Sequence, residues 1–259
     1  MSDRAIRLQC VSFQYSRQSK YILKDFSFEA CAGTFTCILG PSGIGKTTLL
    51  YLMAGCVPPG SGTITHGDVS VISQHPHRGV VFQDLALFDW LTAEENVMFS
   101  ATVNRDRANE MREQASKLLT YFGLDDAKEK YTWQLSGGMR QRVALARTLV
   151  PSPSFLLLDE PFSSLDFINK RSLQVLVRKI TQEGSIGCVM VTHNPEDALY
   201  CASRIVVVGG NPLQVVDDFS NECVGCLIDN GNVDDDMAIS FHRLRRRIEL
   251  SVEYASKLR

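Results

Sequence analysis

The run Gly40-Pro41-Ser42-Gly43-Ile44-Gly45-Lys46-Thr47-Thr48 has the residue types and spacing of a phosphate cradle. Its glycines let successive backbone N–H groups wrap an anion, Lys46 can reach the outer phosphates of a nucleoside triphosphate, and the Thr47 hydroxyl can help hold Mg2+. A coincidental glycine-rich turn is the plain alternative. The strand-like "TFTCIL" before the loop and the helix-like "KTTLLYLMAG" after it argue against that alternative. Farther along, "FLLLDEP" places Asp159 at the end of an apolar strand, where a carboxylate can orient Mg2+ and its water shell. Glu160, one residue on, can accept a proton from, or orient, a water that attacks a γ-phosphate. An isolated Asp-Glu pair would read as an exposed strand end, but the apolar run and the upstream cradle reverse that. A second anion-favouring feature lies in "LSGGMRQRVALAR", where Ser136, Gly137 and Gly138 open a helix whose first N–H groups and dipole attract negative charge. On that helix Met139, Val143, Ala146 and Val150 share a face expected in the core, with Arg140 and Arg142 off it.

Positioning these groups requires a definite order of elements. The alternating "IRLQCVSFQY" and "YILKDFSFEA" predict half-buried antiparallel strands. "PPGSGTI" predicts a turn and a short strand, and "RGVVFQ" an apolar strand ending in a polar residue. From about Leu91 to Val150 the pattern is helical, with Pro151 as a stop. Then "SFLLLDE", "CVMVTH" and "RIVVV" alternate with helical stretches around Lys170 to Ile180 and from Pro195. Short, fully apolar strands alternating with helices imply a parallel sheet covered on both faces. Beyond about Gly209, the acidic "NVDDD" and the basic "FHRLRRRIEL" carry no structural expectation.

The chain has 259 residues, 44% of them apolar, enough for one sizeable core. No uncharged apolar run approaches the roughly 18 residues of a membrane span, so any membrane role requires another chain to cross it. The start "MSDRAIRLQC" lacks a signal-peptide core, which predicts a cytosolic compartment. Lys+Arg 27 against Asp+Glu 29 gives a net charge of −2, which disfavours nucleic acid as a partner. In a reducing compartment the eight scattered cysteines read mostly as small buried apolar residues. Cys223 and Cys226 alone have ligand-like spacing, without a second pair or nearby histidines to complete a metal site.

With "GPSGIGKTT", "VVFQD", "LSGGMRQRVALAR", "FLLLDEP", "SSLD" and "VTHNPEDAL" in this order, the chain resembles the ATP-binding-cassette ATPases from about residue 5 to 210. The resemblance implies an α/β P-loop fold with a parallel core sheet, an N-terminal antiparallel β subdomain and an inserted helical subdomain. It places the ATPase domain at 1–210, with the helical insert at about 88–150, and leaves 211–259 as an extension of unassigned role. It implies ATP and Mg2+ as ligands. Gly40, Pro41, Ser42, Gly43, Gly45, Lys46, Thr47 and Thr48 would bind the phosphates, and Tyr15, otherwise a packing residue, would stack on adenine. Thr47, Gln83 and Asp159 would serve the metal. Gln83 would also contact the attacking water and link the site to the helical lobe. His193, otherwise an ordinary strand-end residue, would contact the γ-phosphate, completing a catalytic set of Glu160, His193, Gln83 and Lys46. Ser136, Gly137 and Gly138 would close on ATP held by a second subunit's P-loop, so that two chains facing head to tail enclose two ATP molecules. Asp166 matches the loop that communicates across that dimer.

The stretch "DLALFDWLTAEENV" resembles importers for nitrate, sulfonates, taurine and thiamine-precursor pyrimidines, with Asp89 and Thr132 standing where proline is frequent. Leu87, Phe88 and Trp90 either receive a helix of a membrane-spanning permease or pack the core of the helical lobe. The resemblance implies a peripheral subunit on the cytoplasmic face of the cell membrane, energising a permease served by an external solute-binding protein. A soluble cassette ATPase acting on ribosomes, DNA or an assembly pathway is the alternative, as is an exporter subunit. Ribosome-acting relatives usually carry two cassettes and DNA-repair relatives long insertions, features this sequence lacks. His66, His75 and His77, with Pro76 between two of them, read as an exposed turn. Arg243, Arg245, Arg246 and Arg247 read as a solvated helix face.

Overall fold

The protein is described here by a computed structural model covering residues 5–16, 18–103, 107–223 and 235–258. Three strands, β3 (Phe35–Leu39), β7 (Phe155–Asp159) and β8 (Gly187–Thr192), are buried along their whole length. Their continuous apolar character follows from this, because a side chain on either face meets protein. Phe155 and Leu157 join one apolar cluster while Leu156 and Leu158 join the other, the period-two alternation of a strand with two packed faces.

Among the described residues, the core sheet has the order β10-β9-β3-β8-β7-β6, with β6 (Arg78–Val81), β9 (Arg204–Gly209) and β10 (Gln214–Ser220). All neighbours are parallel except β10, which runs antiparallel to β9. A smaller antiparallel sheet, β2-β1-β4-β5, is built from β1 (Ile6–Phe13), β2 (Leu23–Ala30), β4 (Ser61–His66) and β5 (Val69–Ser70). Its inner residues Ile6, Leu8, Phe26 and Phe28 share a core with α1 (Lys46–Ala54) and one face of the main sheet.

The helical stretch expected between β6 and β7 contains α2 (Ala93–Val103), α3 (Ala108–Tyr121) and α4 (Gly137–Leu149). Thr92 and Glu95 exchange side-chain and backbone hydrogen bonds at the start of α2, a capping box written in "TAEE". The buried face of α4 is wider than its sequence stripe, since Gln141, Ala144, Leu145 and Leu149 are buried with Val143, Ala146 and Val150, while Met139 is half-buried. Helices α5 (Phe167–Glu183) and α6 (Pro195–Cys201) follow β7 and β8, each opened by a side-chain cap from Asp166 and Asn194.

The tail adds β10 to the sheet edge and lays α7 (Asp235–Lys257) across β9, β10 and α6. Ala255 lies so close to Gly209 that a Cβ there would sit 2.7 Å from it. Arg247 is more than a solvated charge: its guanidinium donates twice to Asp217, at 2.7 and 2.9 Å, and covers the Phe219 ring at 4.1 Å. No helix among the described residues is long and apolar enough to cross a membrane.

Candidate active site

The phosphate loop joins the end of β3 to the start of α1, and its shape depends on glycine. Gly43 and Gly45 have φ of 79° and 106°, a region that costs L-residues a steric penalty. At Gly45 a Cβ would also overlap Ile22, and at Gly40 it would overlap the Val208 carbonyl oxygen. Lys46 is buried, and its ammonium donates to the carbonyls of Gly40 and Pro41, both at 2.8 Å. A cation is thus already gathered at the mouth of a loop of backbone donors.

Asp159 ends β7 beside this loop, and its Oδ1 accepts the Thr47 hydroxyl at 3.1 Å. Its Oδ2 is buried and has no hydrogen-bond partner. Burial pushes the Asp159 carboxyl above its ordinary range; the Thr47 hydrogen bond opposes the shift, and the nearby carboxylates of Glu160 and Asp84 add to it. A buried carboxylate oxygen without a donor, next to a threonine hydroxyl, is the donor set a hard divalent cation satisfies. Thr47 and Asp159 therefore fit Mg2+.

Glu160 leaves the strand with φ 46°, a left-handed conformation costing roughly 1–2 kcal/mol for a non-glycine residue. Its N–H is held by the Val191 carbonyl at 3.0 Å, and its carboxylate lies 2.8 Å from His193 Nδ1. With the proton on Nδ1, the imidazole donates to the carboxylate and fixes its direction. Such strain persists only where the surroundings over-determine it. The Glu160–His193 contact joins the ends of two adjacent strands, β7 and β8.

One cleft of about 960 Å³ is lined by the loop from Ser42 to Thr48 and by Tyr15, Gln83, Glu160 and His193, while Asp159, Gly40 and Pro41 do not line it but bond to its lining residues Thr47 and Lys46. Tyr15 is 64% exposed, with its hydroxyl 3.1 Å from Thr48 Oγ1, so its ring is available for stacking. Lys20, Ile22, Gly210 and Asn211 also line the cleft. Sequence reasoning missed all four, although "GGNP" directly after an apolar strand was a usable signal, because ligands in such sheets bind beyond the strand ends.

Ser136, Gly137, Gly138 and Asp166 do not line this cleft. Ser136 caps α4, accepting the Met139 N–H at 3.3 Å, and stands exposed. Gly138 is pressed against α5, where a Cβ would lie 3.2 Å from the Asn169 amide oxygen. Asp166 caps α5 by accepting the N–H groups of Ile168 and Asn169, and the Asn169 amide also donates to it, at 2.6 Å. Those bonds hold its carboxyl below the ordinary range, the Asn169 side chain contributing most.

Trp90 does not pack the core of the helical lobe: it is 72% exposed and sits beside Phe88 at 5.3 Å between ring centroids. Leu87 and Phe88 are half-buried. The two departures from proline meet each other, since the Thr132 hydroxyl donates to the Asp89 carboxylate at 2.7 Å. His75 and His77 are exposed on the expected turn, while His66 is half-buried against Phe155. Among the described residues no group of three or more His, Cys, Asp or Glu side chains is arranged to hold a metal. Cys223 is buried, and Cys226 lies outside the described residues.

Fold and cleft together define a P-loop nucleoside triphosphatase. A family model described as ABC transporter matches residues 23–163. The taurine import ATP-binding protein TauB of Mesorhizobium japonicum is 41% identical over 82% of this chain and 82% of its own length. The TauB proteins of Jannaschia sp. and Yersinia pestis are 40% and 39% identical, over 73% and 78% of this chain and 71% and 80% of theirs. A bacterial ABC transporter cassette solved as a dimer superposes with a TM-score of 0.73 at 28% identity, covering 84% of this chain and 99% of that one. The same cassette in a post-hydrolysis state bound to ADP and Pi gives 0.72 at 27% identity. The chain belongs to the ABC transporter family and is an ATPase of that type.

Proposed function

We propose that this chain is the ATP-hydrolysing subunit of an importer for a small sulfonate such as taurine, working as a head-to-tail dimer beneath a separate membrane-spanning permease. The observation that carries the substrate class is the identity of about two residues in five, over some four fifths of the chain, with a taurine import ATP-binding protein. A homodimer on the cytoplasmic face and an external solute-binding protein acting through the permease complete this reading.

In the reaction, Tyr15 stacks on adenine and the backbone N–H groups from Gly43 to Thr48 wrap the phosphates. The Lys46 ammonium exchanges the carbonyls of Gly40 and Pro41 for phosphate oxygens, a stronger charge-assisted partner. Thr47 and Asp159, with Gln83, would hold Mg2+, which when bound neutralises phosphate charge. Glu160, steered by His193, orients a water against the γ-phosphorus. A bond forms from the water oxygen to phosphorus, the bond to the bridging oxygen of ADP breaks, and Glu160 accepts the water's proton. Ser136 to Gly138 of the facing subunit supply N–H donors to the same γ-phosphate. ATP drives transport only insofar as it binds the closed dimer better than the open one.

The test is taurine uptake by cells that lack the chain. Expression of the unaltered chain restores uptake and Glu160→Gln does not, and the tagged chain purifies from gently solubilised membranes with a membrane-spanning partner. Uptake indifferent to the chain, or recovery only in a soluble fraction with ribosomes or other proteins, overturns the reading.

A further inference from the structure

Arg147 ends the "LSGGMRQRVALAR" run, and the nucleotide chemistry described above makes no use of it. It lies in the last turn of α4, half-buried, and its guanidinium forks onto two consecutive carbonyls: Nη1 donates to Ala86 at 2.7 Å and Nη2 to Leu85 at 2.8 Å. Those two residues are unusual themselves. Leu85 and Ala86 have φ of 63° and 44°, so two successive non-glycine residues occupy the left-handed region. Neither has a glycine's freedom to do so without steric cost. The guanidinium also covers the Phe88 ring at 5.4 Å, and the buried Asn96 amide accepts the Phe88 N–H at 2.9 Å and donates to its carbonyl at 3.1 Å. Gln83, two residues before this strained pair, lines the nucleotide cleft.

We propose that Arg147 is a positioning residue for Gln83: its fork fixes Leu85–Ala86 in the left-handed turn that aims Gln83 at the nucleotide and ties that turn to the helix bearing Ser136. The helix can act as one body. Val143, Ala144, Leu145 and Ala146 are buried along it, and its two ends carry the second cradle and the fork. A displacement of the cradle end is therefore delivered to the carbonyls of Leu85 and Ala86, and through them to Gln83 on one side and Phe88 on the other. A lysine would reproduce this tie only in part, because its rotatable ammonium can reach two carbonyls, as Lys46 does, without holding them in the fixed plane of a guanidinium fork.

The inference rests on the proposed role of Gln83 in hydrolysis, and the experiment separates the two. The full-length chain carries two tryptophans, Trp90 and Trp133, and Trp133→Phe leaves Trp90 as the sole reporter, two residues from Phe88. In that background Arg147→Ala should lower kcat about tenfold with the KM for ATP within about twofold, the split expected when positioning rather than binding is lost. The fluorescence anisotropy of Trp90 should fall as the segment loosens, and Arg147→Lys should lie between the two proteins. Adding Ala86→Gly should restore kcat about threefold, because glycine adopts the left-handed turn without the fork. Should Arg147→Ala not fold, the same series is run on Arg147→Lys. A kcat within about twofold of the unaltered chain overturns the inference, as does a fall that Ala86→Gly leaves untouched with Trp90 anisotropy unmoved. Gln83→Ala is measured in parallel: full turnover there overturns the Gln83 assignment and this inference with it, whereas a slow Gln83→Ala beside a fully active Arg147→Ala overturns this inference alone.

Discussion

The two anion cradles of this chain are built from the same element, a glycine-rich helix N-terminus, yet their surroundings are opposite. Around Gly40–Thr48 the chain supplies a lysine, a strained Glu160 and its His193 partner on one cleft, with the Asp159 carboxylate bonded to the Thr47 that lines it. Around Ser136–Gly138 it supplies an exposed serine cap and a glycine pressed onto Asn169, and none of the three lines that cleft. The first cradle carries its own chemistry. In the head-to-tail pairing proposed above, the second is a donor surface whose counterpart lies on the facing subunit.

Perturbations that break one cradle should therefore differ in kind from those that break the other. The largest effect is expected at Glu160, where Glu160→Gln should lower turnover by about 10²–10⁴ while nucleotide binding persists. A kcat within a few-fold of the unaltered protein would remove Glu160 from its role. A smaller loss, of the order of 10²-fold in kcat, is expected for Ser136→Arg, with binding of the first nucleotide unchanged. Its distinctive signature is in the assembly: nucleotide-induced dimers of the Glu160→Gln protein should vanish when Ser136→Arg is added, as sedimentation or light scattering would register. Persistent dimers would mean that the second cradle does not complete the first.

A buried network joins the two regions within one chain. Asp197, almost fully buried on α6, accepts from Lys170 of α5 at 2.6 Å, from the Gln174 amide at 2.9 Å and from Thr192, the residue before His193. Lys170 follows directly on Asn169, the residue that backs Gly138. Burial raises the Asp197 carboxyl and Lys170 opposes the shift. Removing Asp197 leaves the Lys170 charge largely buried without its partner, so Asp197→Ala should cost about 3 kcal/mol of stability and slow hydrolysis. Replacing Lys170 and Asp197 together by apolar residues of similar volume should recover most of the stability. Recovery of stability without recovery of turnover would mark the pair as a link between the half-sites rather than as packing.

Much of this was legible because the chemistry is local in sequence. The phosphate loop, the Asp159–Glu160 step and the capped start of α4 each occupy a few consecutive residues, and the fully apolar strands announced a sheet covered on both faces. Long-range pairings were not legible. Asp89 and Thr132 lie 43 positions apart and each looked like a lone departure from proline, yet they form one hydrogen bond. The antiparallel β10 was hidden because "QVVDDFS" carries acidic residues on an edge strand, and only the facing Arg247 and Arg204 explain them. Gly210 and Asn211 carried a local signal, the "GGNP" turn after an apolar strand, but only the folded sheet brings that turn beside the phosphate loop. A double-mutant cycle on the first of these pairings, Asp89→Ala with Thr132→Val, should give a coupling of about 1 kcal/mol and leave nucleotide binding at the first cradle unchanged.

The smallest effect belongs to a tie that lines no part of the nucleotide cleft. Arg247 holds the Asp217 carboxyl below its ordinary value, helped by the Ser251 hydroxyl at 2.9 Å. Because the folded pKa is depressed, the stabilisation from this pair is complete above the unfolded carboxyl's value of roughly 3.9 and is lost as pH falls through the folded value. Arg247 is half exposed, so the pair should contribute no more than about 1 kcal/mol. The melting temperature of Asp217→Asn should therefore lie below that of the unaltered chain at pH 7, and the gap should close as the pH falls through the folded carboxyl's depressed value. Turnover at neutral pH should stay the same, because neither Asp217 nor Arg247 lines the nucleotide cleft. A gap that persists at acid pH would mean that packing of α7 on Gly209 and Phe219, rather than charge, holds the tail in place.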